Sequence, residues 1–406
     1  MRGAERALPS SAGTSPLERW LLKSALAALP GAGIEAVLWD GFRAGEPGGA
    51  TVRIGDRRAL WRLARNPELH FGDLYSEGRI QVEGDLVAFL ERVYRALERG
   101  RRAHASPFLR LWREVAPRSR SIAAARDNIH RHYDLGNDFY ALWLDREAMQ
   151  YTCAYFPEPG MTLEEAQRAK MHHICRKLRL RPGQLVFEAG CGWGGFARFM
   201  AREYGVRVRA WNISHEQVRH AVECARREGL ADRVEYVEDD YRNIRGACDA
   251  FVSVGMLEHV GPENYGALGA VIERTLAPAG FGLIHTIGRN RPQRMNAWIE
   301  RRIFPGAEPP SLAQMMAIFE PYDFSVLDVE NLRLHYAETL RHWRARFQAA
   351  AEAVRASRGE AFVRTWDLYL AGSIAAFTTG SLQLFQLVFA RGTNNALPAS
   401  RRHLYD

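Results

Sequence analysis

The stretch Val186-Phe187-Glu188-Ala189-Gly190-Cys191-Gly192-Trp193-Gly194-Gly195 joins a short apolar run to a group of closely spaced glycines. The apolar residues predict a buried strand, and the glycines predict a tight turn that opens a helix. Glycine lets the main chain approach a ligand closely, and the first turn of a helix presents free N–H groups and the positive end of its dipole. We therefore expect a nucleotide-like cofactor to bind at this turn.

An acid precedes the glycines, which gives the pattern Glu-x-Gly-x-Gly from Glu188 to Gly192. This pattern resembles the S-adenosylmethionine loop of class I methyltransferases. An ordinary glycine-rich turn between a strand and a helix is the alternative that the motif alone leaves open.

The composition indicates a globular protein with more than one domain. The chain has 406 residues, of which 47% are hydrophobic and 25% are charged, an ordinary composition for a protein with a buried core. Its formal net charge is +8, and only three of its 55 basic residues are lysines, namely Lys23, Lys170 and Lys177. Since arginine binds phosphate groups through two parallel hydrogen bonds, nucleic acid and anionic lipid headgroups are both compatible with this charge.

The sequence shows no signal for secretion or for crossing a membrane. Its amino terminus has no long apolar segment behind its charged residues, and no run of roughly 18 apolar residues occurs in it. The five cysteines show no paired spacing, which argues against a disulfide framework or a zinc site and fits a reducing cytoplasm. We therefore expect a cytoplasmic protein whose contact with a membrane is peripheral.

Changes in composition along the chain predict four segments. Residues 1–15 are small, polar and dotted with proline, and we expect a disordered tail. A helical pattern followed by short strands at Val37–Asp40 and Ala50–Ile54 predicts a small α+β domain over residues 16–98. We expect a basic linker over residues 99–121 and a larger domain, which carries the glycine-rich turn, over residues 122–406.

The predicted linker is strongly basic. It contains a single acid and seven arginines, at positions 99, 101, 102, 110, 113, 118 and 120. One interpretation is a solvated connection between domains. The other is an interfacial anchor, in which apolar side chains such as Phe108 and Trp112 enter an anionic lipid surface and each basic residue adds up to ~1 kcal/mol.

Strands and helices alternate in the carboxyl-terminal two thirds of the chain. Thr162 and Glu165 form a capping box for a helix that leads into the opening strand. Further strands are predicted at Val206–Trp211, Val234–Val237, Ala250–Val254, Gly282–Ile287 and Leu382–Phe389, with helices at Tyr336–Ser357 and Glu360–Phe377. Alternation at this spacing predicts a mostly parallel sheet with ligands at the carboxyl ends of its strands.

Polar residues follow these strands at the point where each one ends. They are Asn212 after the second strand, Asp240-Tyr241-Arg242 after the third, Glu258-His259 after the fourth and His285 at the close of the fifth. For an S-adenosylmethionine site we expect Glu188 near the amino group of the methionine, Asn212 near the ribose hydroxyls and Asp240 near the adenine amine. Each of these could instead be a cap or turn residue, and their ordered placement is what favours the cofactor.

Longer motifs in this region resemble the cyclopropane-fatty-acyl-phospholipid synthases and the cyclopropane mycolic acid synthases. The resemblance covers about residues 128–392, and the amino-terminal domain resembles the extension of the longer bacterial members. Its motifs are His132-Tyr133-Asp134-Leu135, Tyr151-Thr152-Cys153-Ala154-Tyr155-Phe156, the glycine loop, Ser253-Val254-Gly255-Met256-Leu257-Glu258-His259-Val260-Gly261, His285-Thr286-Ile287, Ile303-Phe304-Pro305-Gly306 and His335-Tyr336-Ala337-Glu338-Thr339-Leu340. It implies a Rossmann-like class I methyltransferase domain, α/β, with a mostly parallel sheet and helical insertions.

The resemblance also implies a reaction. A cis double bond of a phospholipid acyl chain takes the methyl group of S-adenosylmethionine, and a proton must then leave that methyl group for the ring to close. Such a site must be apolar and dry, yet must hold one base. In the family this base is a bound bicarbonate, and its ligand positions correspond here to Cys153, Glu258, His285, the backbone of Ile287, and Tyr336.

The family's cofactor contacts carry over to several positions of this chain. They are Tyr151, Thr152, Glu188, Gly190, Gly192, Gly194, Asn212, Gln217, Tyr241 and Arg242, beside Asp240. One departure concerns Ser373, which stands where the family often has a cysteine, and we assign it no role. A homodimer is expected from the family.

Three other functions remain open at this point. A close relative could leave a methyl or methylene branch instead of a ring, because both reactions share the first methyl transfer. A methyltransferase acting on a small molecule is a second alternative. Nucleic acid is not expected as a partner, because the aromatic ladders of nucleotide readers and the Asn-Pro-Pro-aromatic motif are missing from the sequence. A lipid-binding module with a decayed cofactor site is the third.

Overall fold

The computed structural model describes residues 13–102 and 135–405. The chain divides into two compact units, one of Met1–Ala116 with Glu352–Ala375 and the other of Pro117–Ala351 with Ala376–Asp406. The structure therefore differs from the prediction of one uninterrupted carboxyl-terminal domain. In the first unit Arg364 donates hydrogen bonds to the carbonyl oxygens of Tyr75 and Ile80, at 2.6 and 3.1 Å, and these bonds tie the returning segment to the amino-terminal part.

The first unit is an α+β assembly around a small sheet. Its sheet has the order β2-β1-β3-β4, with β1 parallel to β3 and the other pairs antiparallel. The strands are β1 (Ile34–Val37), β2 (Arg43–Gly45), β3 (Ala50–Ile54) and β4 (Ile80–Glu83), and the helices are α1 (Pro16–Ala27), α2 (Arg57–Arg65), α3 (Pro67–Ser76) and α4 (Leu86–Arg102). The predicted strand at Val37–Asp40 is wrong in position, since the chain turns at residues 39 and 40.

Two expectations about the flanks of this unit require correction. Thr14 and Ser15, placed in the disordered tail, are ordered, because Thr14 donates to Asp40 and Ser15 caps α1. Residues 1–12 lie outside the described residues. Arg99 belongs to α4, and its guanidinium donates to the carbonyl oxygens of Pro30 and Gly31 at 2.9 Å. The linker from residue 103 to 121 and the motif from His132 to Asp134 also lie outside the described residues.

The second unit is built on a seven-stranded sheet. The strand order is β10-β11-β9-β8-β5-β6-β7. Neighbouring strands are parallel from β9 to β7, and only β11 runs against its two neighbours. The strands are β5 (Leu185–Ala189), β6 (Arg207–Asn212), β7 (Val234–Glu238), β8 (Cys248–Val254), β9 (Leu276–Gly288), β10 (Phe324–Asn331) and β11 (Gln383–Arg391).

Helices cover both faces of this sheet. Met171 and Phe196 belong to one core cluster with the strands, and Leu268 and Ile272 belong to the other. The helices are α5 (Asn137–Ala141), α6 (Leu163–Lys177), α7 (Gly195–Tyr204), α8 (His215–Arg227), α9 (Leu257–Val260), α10 (Tyr265–Thr275), α11 (Ala297–Arg302), α12 (Leu312–Met315), α13 (Arg333–Ala349), α14 (Ala351–Arg358) and α15 (Glu360–Thr378). The last two contribute most of their residues to the first unit.

The strand order has a switch point beside β5. After β5 the chain builds β6 and β7 on one side, and then returns to place β8 and β9 on the other side. In open parallel sheets, ligands bind outside the carboxyl ends of the strands at such a point. The glycine-rich turn follows β5 directly, so the fold places it at this switch point. Among the described helices, none is long and apolar enough to cross a membrane.

Candidate active site

The glycine-rich turn adopts backbone conformations that favour glycine. Gly190, Gly192 and Gly194 have φ values of 85°, 52° and 74°. The backbone N–H groups of Gly190 and Cys191 both donate to the carbonyl oxygen of Trp211, at 2.9 and 3.1 Å. These bonds attach the turn to the end of β6, and α7 starts directly after it at Gly195.

Two glycines of this turn differ in what surrounds them. A Cβ atom at Gly194 would lie 2.6 Å from Ala221 and from the ring of Tyr236, so this glycine is required by packing. A Cβ atom at Gly192 would meet nothing within 4 Å in the described part of the chain. Gly192 therefore borders open space, as expected where a backbone approaches a ligand.

Glu188 is a buried acid at the end of β5. Glu188 is 2% exposed, and its Oε2 atom has no hydrogen-bond partner within residues 13–102 and 135–405. Burial raises the pKa of Glu188 to about 8, although the charges of Lys170 and Arg198 act in the opposite direction. A carboxylate in this position is costly unless a cationic ligand group compensates it.

Asn212 and Gln217 form a second polar pair beside the turn. The Nδ2 atom of Asn212 donates to the carbonyl oxygen of Gly192 at 3.1 Å and to Oε1 of Gln217 at 2.8 Å. The Nε2 atom of Gln217 is buried and unpartnered among the described residues. The two side chains thus lie next to the glycine turn, and one amide donor remains for a ligand.

The residues that follow β7 are held by one another. Asp240 accepts hydrogen bonds from the backbone N–H and the guanidinium of Arg242, at distances of 2.7 to 3.0 Å. The phenol of Tyr241 is buried with no partner in the described part of the chain, and burial raises its pKa to about 12. Asp240 therefore orients Arg242, and Tyr241 offers the free polar atom.

These buried groups are what a polar cofactor needs. The unpaired oxygen of Glu188, the amide of Gln217 and the phenol of Tyr241 suit an ammonium group and the hydroxyl and base groups of a nucleoside. Together with the open space at Gly192, they fit S-adenosylmethionine.

Aromatic side chains surround Tyr151, one of the predicted cofactor residues. The ring of Tyr151 lies 5.5 Å from Tyr140, 5.1 Å from Trp143 and 5.3 Å from Trp343. Tyr140, Trp143 and Trp343 are fully buried. Such a wall excludes water from the space beside Tyr151.

Thr152, the next predicted cofactor residue, is held by a buried lysine that the sequence analysis did not select. The ammonium group of Lys170 donates to Oγ1 of Thr152 at 3.0 Å and to the side chain of Gln150. Lys170 is fully buried, and this burial lowers its pKa to about 8, against the raising effect of nearby Asp145 and Cys153. Its charge acts on Glu188 and His285 as well, so it lies among the predicted site residues.

Glu258 lies beside the end of β9. Its Oε2 atom accepts a hydrogen bond from the hydroxyl of Thr286 at 2.8 Å. Burial raises the pKa of Glu258 to about 7, while this bond and the backbone of Ile287 favour the ionised form. The structure thus brings Glu258 and Ile287 together, and it adds Thr286, a residue that the sequence analysis did not select.

His285 is the most completely enclosed of the predicted site residues on β9. It is 1% exposed, and its Nδ1 atom lies 3.1 Å from Nε2 of Gln386. Its Nε2 atom has no partner among the described residues. Burial, together with the charges of Lys170 and Lys177, holds the pKa of His285 far below its usual value, so the ring is neutral.

The thiol of Cys153 and the backbone N–H of Tyr336 face the same backbone carbonyl group. The Sγ atom of Cys153 lies 3.8 Å from the carbonyl oxygen of Leu332, which accepts the backbone N–H of Tyr336 at 3.1 Å. Leu332 donates to the carbonyl oxygen of Leu384, the residue opposite Ile287 in the sheet. Burial raises the pKa of the Cys153 thiol, so it is a neutral group and no nucleophile. All five free cysteines are buried.

The five positions that correspond to the family's bicarbonate ligands therefore fall into two adjoining groups. The thiol of Cys153 and the backbone N–H of Tyr336 face the carbonyl group of Leu332, and Glu258, His285 and Ile287 lie at the ends of β8 and β9. Lys170, Thr286 and Gln386 support them and were not selected from the sequence. For Lys170 a signal existed, since lysine is rare in this chain.

Comparison with known proteins gives one consistent result. The family described as "Mycolic acid cyclopropane synthetase" matches residues 120–387. The "Cyclopropane-fatty-acyl-phospholipid synthase" of Escherichia coli K12 is 38% identical over 87% of this chain and 91% of that protein. The "Probable fatty acid methyltransferase" of Pseudomonas putida is 37% identical over 91% of this chain and 95% of that protein.

Solved structures agree with the sequence relatives. The mycolic acid cyclopropane synthase CmaA1 in complex with SAH and CTAB superimposes with a TM-score of 0.61 at 31% identity, covering 65% of this chain and 97% of that structure. The cyclopropane synthase MmaA2 from Mycobacterium tuberculosis gives a TM-score of 0.62 at 28% identity, covering 66% of this chain and 98% of that structure. The predicted class I methyltransferase fold is confirmed, and the chain belongs to the mycolic acid cyclopropane synthetase family of S-adenosylmethionine-dependent methyltransferases.

Proposed function

We propose that this methyltransferase converts a cis double bond in an acyl chain of a membrane phospholipid into a cyclopropane ring. The proposal is supported by the E. coli relative, a cyclopropane-fatty-acyl-phospholipid synthase that aligns over 87% of this chain. S-adenosylmethionine, when bound, supplies an electrophilic methyl group, from which a proton must be lost before the ring closes. The remaining requirements fall on the protein, which must orient the alkene, exclude water and hold a base.

One observation carries the proposal. A neutral, buried His285 with an unpartnered Nε2 among the described residues lies next along β9 to Thr286, which holds the acidic group of Glu258. Trp343, which belongs to the aromatic wall around Tyr151, also packs against Tyr336 with a ring separation of 5.8 Å, so this apolar wall reaches one of the predicted site residues. This combination suits a proton transfer in a dry site, and it would be expensive to maintain without such a use.

The base that fits these donors is bicarbonate. Cys153, Glu258, His285, Tyr336 and the backbone of Ile287 would hold it, as the family resemblance implies. Because the pKa of Glu258 lies at about 7, its carboxyl group can take up or release a proton near neutral pH. Glu258 would therefore orient the base and pass its proton outward.

A branching reaction is the second candidate. The relatives include the "Probable fatty acid methyltransferase" of P. putida and, at 32% identity over 94% of this chain, the "Tuberculostearic acid methyltransferase UfaA1" of M. tuberculosis. The names of these two relatives describe methyl transfer to fatty acids and do not mention a ring. The same site would serve both reactions in the first methyl transfer, and the two reactions would differ in the proton loss that follows.

Phospholipid in an anionic membrane is the proposed partner. The net charge of +8 favours an anionic surface. Helix α1 exposes Leu17 at 53% and Trp20 at 55%, and α2 exposes Trp61 at 42%. Arg58 and Lys23 are exposed on the same two helices. Apolar and cationic side chains on one pair of helices are typical of interfacial binding.

The test uses the full chain with vesicles of a cis-unsaturated phospholipid and S-adenosylmethionine carrying a fully deuterated methyl group. The ring reaction predicts loss of the double bond and retention of two of the three deuterium atoms. Retention of all three deuterium atoms, or a surviving double bond, would establish the branching reaction instead. Unchanged lipid would overturn both candidates.

A further inference from the structure

Two of the three lysines of this arginine-rich chain are buried on one helix. Lys170 and Lys177 both lie on α6 and are 0% and 2% exposed. Lysine has a compact ammonium group with three donors, whereas arginine has a planar fork that needs more room. The use of lysine at these positions indicates that a small cation is required there. Lys170 holds Thr152, as described above, and Lys177 leads to His285.

A chain of hydrogen bonds connects Lys177 to His285. The Nζ atom of Lys177 lies 2.6 Å from Oε2 of Glu330 and 2.7 Å from Oε1 of Gln386. The Nε2 atom of Gln386 lies 3.1 Å from Nδ1 of His285. Gln386 and His285 are directly opposite each other in the β11–β9 ladder, so the sheet holds their separation. Glu330 also receives a bond from His173 at 2.7 Å.

The direction of each bond follows from what its groups can do. An ammonium group only donates, so it must face the oxygen of the Gln386 amide and not the nitrogen. The amide then presents its NH₂ group to His285, whose Nδ1 must accept. In a neutral imidazole the other nitrogen carries the proton, so Nε2 is an N–H donor. This is the ring atom that has no partner in the described part of the chain.

We propose that Lys177 and Gln386 are positioning residues that hold His285 in the tautomer protonated at Nε2, so that this N–H donates into the active site. The ammonium of Lys177 orients the amide, and the amide selects the tautomer. The carboxylate of Glu330 balances the buried charge of Lys177. Burial opposes the ionisation of Glu330, but the hydrogen bond from His173 and the charge of Lys177 lower the pKa of Glu330 to about 2.

The catalytic part of this inference rests on the proposed function, whereas the tautomer can be measured without it. The decisive variant is Gln386→Glu. A carboxylate at this position still accepts a hydrogen bond from Lys177, but it has no N–H to donate to His285. It would instead accept a hydrogen bond from the ring, which favours the neutral tautomer with its proton on Nδ1 and none on Nε2. The matched control is Gln383→Glu on the same strand, since the side chain of Gln383 forms hydrogen bonds with Asn331 and with the carbonyl oxygen of Gly380.

The tautomer is read from nitrogen NMR of the full chain labelled with ¹⁵N-histidine, at a mildly alkaline pH. The signals of His285 are identified by their loss in His285→Asn. We expect a neutral ring protonated at Nε2 in the wild type and in Gln383→Glu, and at Nδ1 in Gln386→Glu. A wild-type ring protonated at Nδ1, or a Gln386→Glu ring that retains its Nε2 proton, would overturn the proposal. The wild-type spectrum provides this test even if the variant fails to fold.

Kinetics supply the second readout. We expect Gln386→Glu to lower kcat for lipid modification by roughly 10- to 100-fold, which is the loss found when the hydrogen-bond partner that orients a metal-bound histidine is changed. The Kd for S-adenosylhomocysteine should stay within about twofold of the wild-type value. An unchanged kcat in a variant whose tautomer has switched would overturn the positioning role. If the wild type modifies no lipid, the proposed function fails while the tautomer assignment stands.

Discussion

At the scale of single residues, the site is a set of buried ionisable groups whose usual charges are suppressed. Burial raises the pKa of Glu188 to about 8 and that of Glu258 to about 7, and it lowers the pKa of His259 to about 4. Each group costs folding free energy unless a ligand compensates it. Such residues are expected at a functional site, where binding and chemistry repay their cost.

Glu258→Gln should separate chemistry from cofactor binding. Glutamine retains the size of the side chain and can accept from Thr286, but it cannot take up a proton. We expect ring formation to fall by roughly 100-fold or more, as for the loss of an acid–base group. The Kd for S-adenosylhomocysteine, measured by calorimetry, should change by less than about twofold. Cys153→Ala should act in the same direction.

Two further variants make this prediction specific. Thr286→Val removes only the hydroxyl that orients Glu258, so its loss of activity should be smaller. Glu320→Gln changes an exposed acid and should have no effect. If Glu258→Gln weakened the binding of S-adenosylhomocysteine in proportion to its loss of rate, the acid–base role assigned to Glu258 would be wrong.

Glu188→Gln should stabilise the protein without cofactor, and increasingly so at higher pH. The folded-state pKa of Glu188 is raised from 4.5 to about 8, so unfolding releases a proton between these values. The carboxyl group therefore lowers the stability of the wild type as pH rises through this window, and its effect is constant above it. Calorimetric melting from pH 5 to 9 should show a growing advantage of the variant, on the order of a few kcal/mol.

The same variant should bind the cofactor more weakly. Loss of a charge-assisted hydrogen bond costs about 1.5–3 kcal/mol, which corresponds to roughly 10- to 100-fold in the Kd for S-adenosylhomocysteine. Glu203→Gln, at an exposed position of α7, is the control for both measurements. If the difference in unfolding free energy between Glu188→Gln and the wild type did not change between pH 5 and 8, Glu188 would not be the buried acid with a raised pKa that we assign to the cofactor site.

At the scale of elements, the glycine turn and the strands were predicted because their signals are local. The strand Ala50–Ile54 and the capping box of α6 agree with the prediction. Glycine spacing by itself does not identify the cofactor, since Gly190, Gly192 and Gly195 also satisfy the spacing of the dinucleotide fingerprint. The unpaired acid at Glu188 and the strand-end residues are what favour S-adenosylmethionine.

Elements whose existence depends on partners were missed. Strand β10 has a mixed burial pattern and is defined by pairing with β11 across more than fifty residues of chain. The role of Gln386 could likewise not be predicted, since it exists only because the sheet places Gln386 opposite His285. A sequence shows that a residue is polar within an apolar strand, but it does not show which residue lies across from it.

Two glycine variants test the assignment of the turn. Gly192→Ala adds a methyl group that borders open space, so its cost in stability is the strain of a positive φ, about 1–2 kcal/mol. We expect it to weaken S-adenosylhomocysteine by at least about 10-fold, because the methyl group occupies ligand space. Chemical unfolding and calorimetry measure the two effects.

Gly194→Ala is the matched comparison. Its added methyl group would meet Ala221 and the ring of Tyr236 at 2.6 Å, so we expect a larger loss of stability than for Gly192→Ala. If Gly192→Ala bound the cofactor as well as the wild type, the open space beside Gly192 would not be the cofactor site.

At the scale of the whole molecule, the first unit is assembled from both ends of the sequence. Periodicity predicted the helix that begins at Glu360, but it could not predict that Glu352–Ala375 would group with the amino-terminal residues. That grouping depends on contacts such as the hydrogen bond between Thr365 and Ser76, which are separated by 289 positions. The first unit is therefore no independent extension that can be removed from the chain at the linker.

The first unit also carries the surface that we expect to meet lipid, and a variant of the full chain tests it. Trp20→Ser with Trp61→Ser should weaken binding to anionic vesicles several-fold, because indole rings favour the membrane interface. The control is Leu397→Ser with Tyr405→Ser, which changes exposed apolar residues of the other unit. Since the cationic contribution is screened by salt, wild-type binding should also fall as ionic strength rises. Co-sedimentation with anionic and neutral vesicles measures both effects, and equal binding by the two double variants would show that α1 and α2 are not the docking surface.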